Sequence, residues 1–370
     1  MKKVGLVGWR GMVGSMLMKR MQEEGDFRTI SPFFFSTSAA GGTHRDSDGN
    51  EHTLLDASSI EHLREMDIVL TCQGGDYTKA TYQSLRDSGW NGYWIDAASV
   101  KRMDVDSIIV LDPVNRAAID AGLDTGIRNF IGGNCSITMS LIALSGLIKT
   151  GLVEWMSVMT YQAASGAGAA QVRELLAQMA LITKAVEPGL ADALAPVLSL
   201  LEHARSATRS SDFPAAEFGA PLAGSIIPWI DSDLGDGRSR EEWKGEVEAN
   251  KILGLPEGTI RIDGLCVRVP VLQCHSAAIT IGLKEDIDVT ALEHMIQSGS
   301  NWIDYVPNNK PDTLARLTPA AVSGSLKIAV GRLRRLDVGA RTYSVLTTGD
   351  QLLWGAAEPL RRVLKIIQAR

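Results

Sequence analysis

The chain alternates short, continuously apolar runs with longer amphipathic stretches. Val4-Gly5-Leu6-Val7, Pro32-Phe33-Phe34-Phe35, Ile68-Val69-Leu70-Thr71, Tyr93-Trp94-Ile95 and Ile108-Ile109-Val110-Leu111 are too short for buried helices and predict strands. Between them lie helical or loop stretches, such as the helix carrying Met16, Leu17 and Met21 and the stretch from Thr78 to Asp87. This alternation predicts an α/β fold with a doubly wound, mostly parallel sheet of the Rossmann type. Asn129-Phe130-Ile131 is the last short strand of the series, and Ile137, Met139, Leu141, Ile142 and Leu144 mark an uncharged helix after it. Further on, Trp155 to Gln162 predicts a strand, Val172 to Ala185 a helix and Arg261 to Val271 another strand. Trp354 to Arg370 has an apolar face of Leu360, Val363, Leu364, Ile366 and Ile367, an amphipathic helix expected to pack back on the first domain. Residues 186 to about 215 read as helix and loop without identifiable chemistry. The expected division is a dinucleotide-binding domain over 1–133, completed by helix 355–370, and an α+β domain over 134–354 for substrate and dimer contacts.

The first strand runs into Gly8-x-x-Gly11-x-x-Gly14 and then a helix. Glycines there let the backbone approach a pyrophosphate whose charge rests on the helix N-terminus, although a plain tight turn has the same spacing. About 22 residues past Gly14, where an acid for ribose hydroxyls would stand, the chain has Ser36-Thr37-Ser38. With Arg10 on the glycine loop, hydroxyls in place of a carboxylate favour a 2′-phosphate and hence NADP over NAD; ordinary turn chemistry is the plainer reading. Gln73 and Arg102 follow the third and fourth strands, placed to line the nicotinamide side and to hold an anion; a lone surface Arg that is merely solvated is the plainer reading of Arg102.

Composition narrows the class. A chain of 370 residues has room for about two domains. A net charge of −6 argues against a nucleic-acid backbone or an anionic membrane as main partner. No apolar run is long enough to span a bilayer, and Arg10 interrupts the first one too early for a secretory leader. Cys72, Cys135, Cys266 and Cys274 form no C-x-x-C pair, which fits neither a disulfide scaffold nor a zinc site; a reducing cytoplasm is the simplest setting, with no metal.

Cys135 stands at the mouth of the uncharged helix, after Gly132-Gly133-Asn134. Helix N-terminal amides would lower its pKa and make it a covalent nucleophile; a packed, inert thiol is the alternative. Arg268 lies in an apolar strand, where burying it calls for an anionic partner. His275, seven residues on, is the first candidate for a base, or else a satisfied structural histidine. The small-residue loop Ala163 to Gly168 either faces the nicotinamide or merely joins strand to helix. Glu241-Glu242-Trp243-Lys244, on a helix capped by Ser239, reads by pattern alone as a solvated charged face.

The combination Gly8-Trp9-Arg10-Gly11-Met12-Val13-Gly14, Gly132-Gly133-Asn134-Cys135, Tyr161-Gln162-Ala163-Ala164-Ser165-Gly166 and Cys274-His275-Ser276 closely resembles the aspartate-β-semialdehyde dehydrogenase family of Gram-negative type. The resemblance spans essentially the whole chain, including Ser239 to Gly245 and Gly349 to Gly355. It implies Cys135 as acyl-thioester nucleophile, Gln162 as its positioning partner and His275 as acid/base. It implies Arg268 and Glu242 for the substrate's α-carboxylate and α-amino groups, and Arg102 and Lys244 for phosphate. For NADP it implies Gly8, Arg10, Gly11, Met12, Val13, Thr37, Ser38, Gln73, Ser165, Gly166, Ala167, Gly168, Ala169 and Gln351. The implied reaction is reversible conversion of L-aspartate 4-semialdehyde and phosphate to L-4-aspartyl phosphate. It would serve lysine, diaminopimelate, threonine, methionine and isoleucine biosynthesis, in a cytoplasmic homodimer whose second domain supplies the interface. Another phosphate-using aldehyde dehydrogenase, such as N-acetyl-glutamyl-phosphate reductase, is the alternative.

Overall fold

Nine of the strands lie in the first part of the chain of this computed structural model, which describes residues 1–46 and 49–370. They are β1 (Lys2–Val7), β2 (Ile30–Ser36), β3 (Thr43–Arg45), β4 (Glu51–Thr53), β5 (Leu55–Asp56), β6 (Ile68–Thr71), β7 (Tyr93–Asp96), β8 (Ser107–Val110) and β9 (Asn129–Gly132). Seven of them form a parallel sheet in the order β5-β2-β1-β6-β7-β9-β8. All four residues of β6 and of β9 are buried, as expected when helices cover both faces of a parallel sheet. The order reverses between β1 and β6, so their carboxyl ends open a crevice, and the glycine turn sits at its edge. The hairpin β3–β4, which the apolar pattern did not announce, lays His44 and His52 against Phe34 and Trp9. It borders a cavity of about 500 Å³ away from Cys135.

The second sheet comprises β10 (Val153–Gln162), β11 (Arg261–Arg268), β12 (His275–Leu283), β13 (Ile303–Tyr305), β14 (Ile328–Arg335) and β15 (Thr342–Gly349), in the order β11-β10-β12-β15-β14-β13. It is mixed, with β10 parallel to β11 and antiparallel to β12. The Cys135–Ala143 helix carries no charge on any face because it is enclosed, with Ser136, Thr138 and Ser140 buried along with its apolar residues. Ile137, Met139 and Leu141 share a core with Val158, Ile262, Ile279 and Val345 of this sheet and with Ile109 of the first.

After β15 the chain makes a wide π-type turn, Leu353–Ala357, and enters the Glu358–Gln368 helix. Its Leu360, Val363, Leu364 and Ile367 pack with Leu6, Leu70 and Phe130 in the core of the first sheet. Buried Arg361 pairs with Asp26 and Glu358, and Arg362 grips Asp112, which fixes the helix in register on that core. The helix expected over 172–185 runs from Ala169 to Leu190, and a second, Val197–Thr208, lies beside it within the stretch read as helix and loop. These two leave Leu190, Leu194, Val197, Leu198 and Leu201 exposed. The second-domain strand expected to reach Val271 ends at Arg268: the Val269 amide makes the last bond to β10, at the Gln162 carbonyl, after which Pro270 has no N–H to give and the Val271 amide turns back onto the Val269 carbonyl at 2.8 Å.

Candidate active site

Strand register brings the site together. Gln162 at the end of β10 lies beside Arg268 at the end of β11, while Tyr161 pairs with Ser276 next to His275 at the start of β12. These ends meet the start of the Cys135 helix at a cleft of about 400 Å³. Val13, Arg102, Cys135, Gln162, Ser165, Gly166, Glu241, Lys244, Arg268 and Gln351 all line it, so the glycine-turn helix and the second sheet share one wall.

Cys135 is the first residue of its helix, and Asn134 is the N-cap. Asn134 Oδ1 accepts from the Ser136 and Ile137 amides at 3.0 and 3.1 Å, so donors expected to face the sulfur are already satisfied. Burial, aided by Glu241, pushes the Cys135 thiol up to about 11, against the opposing pull of Arg268 and Arg102. The resting thiol is therefore protonated, the reverse of the expected lowering. Gly355 of the π-type turn presses on this residue: a Cβ there would lie 2.7 Å from Cys135 Cβ, so the turn passes only as glycine.

His275 is 1% exposed, and its Nδ1 accepts from the Ala163 amide at 3.0 Å. That bond puts the ring hydrogen on Nε2, which is buried and meets no partner among the described residues. Burial, then Arg268, pulls its pKa down to about 3, so the expected near-neutral acid/base is instead a neutral Nε2–H donor at rest. Gly166 covers that nitrogen; a Cβ on Gly166 would stand 2.7 Å from Nε2 and 2.6 Å from Cε1. The ring lies behind the cleft wall rather than on it. Ala163 serves both neighbours, since its carbonyl accepts from Arg268 Nη1 at 2.8 Å.

The acidic pair on the 240s helix is resolved against expectation. Glu242 does not face the cleft: its Oε2 accepts from the Ser239 amide at 2.8 Å and its Oε1 from the Cys266 amide at 3.0 Å. Ser239 and Glu242 form a capping box, whose S-x-x-E spacing is visible in the sequence. Glu241 faces the cleft instead. Its Oε1 accepts from Asn134 Nδ2 at 2.8 Å and Gln162 Nε2 at 3.2 Å, and its Oε2 pairs with Lys244 at 3.2 Å. The i, i+3 spacing of Glu241 and Lys244 puts them on one helix face, a signal that could have selected Glu241 over its neighbour.

Arg102 is buried and committed on three sides: Nε to Gly132 O at 2.6 Å, Nη2 to Gly133 O at 3.0 Å, and Nη1 to Glu248 at 3.1 Å. Glu248, which no motif singled out, also accepts from the Asn134 amide at 2.8 Å and so ties Arg102 to the cysteine turn. Lys244 is paired with Asp231 at 2.5 Å as well as with Glu241, and its pKa is raised because these two carboxylates outweigh its burial.

At the crevice by β1, Arg10 Nη2 donates to Ser36 Oγ at 2.7 Å and Ser38 Oγ at 3.4 Å, and Gln73 Nε2 donates to Thr37 Oγ1 at 3.4 Å. Gly8 accepts from the Gly11 amide at 3.1 Å to close the turn, and Met12 opens the helix that carries Val13. Ser165 and Gly166 lie in the short 3-10 turn Ala164–Gly166, followed by Ala167, Gly168 and the start of the next helix at Ala169. Gln351 Nε2 donates to Ser165 Oγ, and Gln351 Oε1 accepts from the Cys274 amide at 2.8 Å, which links this turn to the chain just before His275. The chemistry of this donor set suits a dinucleotide: the glycine turn leaves the helix N-terminus open to a pyrophosphate, and Arg10 with the Ser36–Ser38 hydroxyls stands where a carboxylate would otherwise lie. Among the described residues no His, Cys, Asp and Glu gather as a metal site, and no helix is long and apolar enough to cross a membrane.

Comparison with known proteins agrees with this architecture. Residues 3–122 match the family described as semialdehyde dehydrogenase, NAD binding domain, and residues 144–354 match semialdehyde dehydrogenase, dimerisation domain. Among solved structures, the aspartate semialdehyde dehydrogenase from Francisella tularensis is 46% identical with a TM-score of 0.95, each chain covered over 100% of its length. Aspartate semialdehyde dehydrogenase II from Vibrio cholerae, complexed with ASA, is 24% identical with a TM-score of 0.80, covering 99% of this chain and 98% of its own. The Candida albicans aspartate semialdehyde dehydrogenase with NADP is 17% identical with a TM-score of 0.70, covering 100% and 99% respectively. The last two are alike in fold.

Proposed function

The chain belongs to the semialdehyde dehydrogenase family, and from that premise we propose that it interconverts L-aspartate 4-semialdehyde plus phosphate with L-4-aspartyl phosphate, using NADP. The observation that carries this reading is the meeting, round one 400 Å³ cleft, of a thiol, an Arg/Glu pair and two further cations. Arg268 suits the substrate's α-carboxylate. Glu241, rather than Glu242, suits its α-ammonium. Cys135 lines the same cleft as these two and as Arg102 and Lys244, which suit the phosphate.

In the oxidative direction, Cys135 Sγ adds to the aldehyde carbon and the thiol proton passes to the aldehyde oxygen. The chemistry that NADP supplies when bound is acceptance of the hydride from that carbon. Phosphate oxygen then attacks the resulting Cys135 thioester, and the sulfur leaves. Arg102 and Lys244 hold the phosphate, while Gln162 positions the substrate end bound to Glu241. Once Gly166 and the Ala163 amide move off the ring, His275 offers Nε2–H to the developing oxyanion, and the ring takes the hydroxyl proton as hydride leaves the carbon and returns it to Cys135 Sγ when the sulfur departs. The Cys135 amide and the Gln162 side chain are the other oxyanion donors.

The cofactor is held by Gly8, Arg10, Gly11, Met12, Val13, Thr37, Ser38 and Gln73 at one end and by the 165–169 turn and Gln351 at the other. The Arg10–Ser36–Ser38 cluster supports NADP over NAD. Residues 1–133 with 355–370 form the unit for the cofactor, and 134–354 the unit for catalysis and dimer contacts. The exposed leucines of residues 190–201 supply apolar surface of the kind that mediates a homodimer. The place of the reaction is cytoplasmic, in lysine, diaminopimelate, threonine, methionine and isoleucine biosynthesis. An N-acetylated glutamyl substrate fits less well, because its acylated nitrogen carries no charge for Glu241.

The test is phosphate-dependent formation of NADPH absorbance with aspartate semialdehyde, against other aldehydes and against NAD. No phosphate-dependent signal with aspartate semialdehyde refutes the assignment.

A further inference from the structure

Lys244, one of the two cations offered to phosphate, is already occupied by carboxylates in this state. Asp231 Oδ2 lies 2.5 Å and Glu241 Oε2 3.2 Å from its Nζ, which leaves one ammonium N–H for any other partner. Arg102 is likewise matched by Glu248. Around the cleft three cations, Arg102, Lys244 and Arg268, therefore face three carboxylates, Glu241, Glu248 and Asp231. A phosphate dianion arriving here meets no surplus of positive charge.

Asp231 differs from the other two carboxylates. Glu241 and Glu248 are buried and bonded to the Asn134 turn, whereas the Asp231 side chain is 32% exposed and lines the cleft mouth. It is nevertheless built into place. The segment carrying it is tied to β11 through the paired backbone bonds of Ile227 and Arg268, and to the cap of the Lys244 helix through the Asp233–Ser239 bridge and the Arg240 amide to the Ser232 carbonyl at 2.8 Å. Asp231 itself sits at φ 72°, a left-handed conformation that side chains other than Gly, Asn and Asp adopt at a cost. Its carbonyl accepts from Trp229 Nε1 at 3.0 Å, and its Oδ1 accepts from the Ser232 amide at 2.8 Å. The two anchors and the strained residue between them aim one carboxylate oxygen at Lys244.

We propose that Asp231 is a resident stand-in for the inorganic anion, holding Lys244 until phosphate displaces it, and that it thereby sets the phosphate affinity of the site. The proposal rests on the function proposed above. Phosphate exchanges with one carboxylate oxygen on the ammonium, and the Asp231 side chain swings toward solvent at the cleft mouth. Because the carboxylate remains nearby after displacement, its charge also repels the bound phosphate.

The test compares wild type with Asp231→Asn and Asp231→Ala, varying inorganic phosphate and aspartate semialdehyde separately. Removing one negative charge at this range lowers the KM for phosphate by on the order of tenfold, and moves the KM for the aldehyde, held at Arg268 and Glu241, by less than about twofold. The gain shrinks as ionic strength rises, since the pair is partly exposed. A phosphate KM that is unchanged or raised in both variants overturns the proposal, and a raised value makes Asp231 a residue that positions Lys244. If wild type shows no phosphate-dependent turnover, the proposed function fails instead; calorimetric titration of both variants with inorganic phosphate still decides whether Asp231 excludes the anion.

Discussion

Glu248 is the buried joint between the anion site and the cysteine turn, and Glu248→Gln tests that role directly. Its carboxylate is 2% exposed; one oxygen accepts from Arg102 Nη1 at 3.1 Å and the other from the Asn134 amide at 2.8 Å. Both partners are donors. A glutamine of the same shape has one acceptor oxygen, so its NH2 must oppose either the guanidinium or the amide. Removing one partner of a buried ion pair costs about 3–5 kcal/mol, because the remaining charge is left uncompensated. Arg102 keeps its bonds to the Gly132 and Gly133 carbonyls, which places the expected loss toward the lower end of that range. With an unfolding entropy of about 2.1 cal/mol/K per residue, Tm of a 370-residue chain moves by about 1.3 °C per kcal/mol, so it should fall by roughly 4 °C. Calorimetric unfolding at neutral pH measures it, with Glu257→Gln, on an exposed loop, as a control expected to move by less than about 0.5 kcal/mol. The KM for phosphate should rise in parallel, since Arg102 loses the group that aims it. A loss below about 1 kcal/mol with an unchanged phosphate KM would refute the reasoning, because it would mean that the pair neither stabilises the junction nor positions Arg102.

Three other perturbations probe the same site. Cys135→Ser should retain the fold and NADP binding while losing nearly all turnover; substantial activity would end the covalent mechanism. Gly166→Ala inserts a methyl 2.6 Å from His275 Cε1 and 3.2 Å from Arg268 Nη1, so it should cost about 1–3 kcal/mol and lower kcat, and wild-type kcat with unchanged unfolding would show that the turn stands off the ring. His275 has a folded pKa of about 3 against an unfolded value near 6.5, so below about pH 6.5 the unfolded chain binds the extra proton. Its contribution to stability is thus complete above that pH and is lost as pH falls toward 3, at up to about 1.4 kcal/mol per pH unit. Denaturant unfolding at pH 7.5 and 5.0 should show a smaller pH dependence in His275→Asn than in wild type, and equal slopes would mean that the ring is not buried neutral.

Much of the first sheet was legible because a parallel strand covered on both faces needs an unbroken apolar run, and β1, β2, β6, β7 and β8 each contain one. The glycine turn was legible for a related reason, since it is a local event bounded by a strand and a helix. The C-terminal helix showed its apolar stripe before it had a partner. The hairpin β3–β4 and strands β13 and β14 are different, being short or studded with charge, as in Arg332, Arg334 and Arg335 of β14, so their pairing rather than their pattern makes them strands.

At the site, residue types by themselves determined which groups are reactive or charged: a thiol after two glycines, an arginine in an apolar strand, a histidine at the head of another. Tertiary structure decided what state each is in and which neighbour it serves. Burial beside Glu241 holds Cys135 protonated, and the Ala163 amide settles the tautomer of His275. The capping box removes Glu242 from the cleft, and the segment before the 240s helix, tied to β11 through Ile227 and Arg268, brings Asp231 onto Lys244. Charge state and partner choice depend on desolvation and on distances between groups far apart along the chain, such as Asn134 with Glu248 or Arg102 with Gly132, and these exist only once the two sheets close on the Cys135 helix.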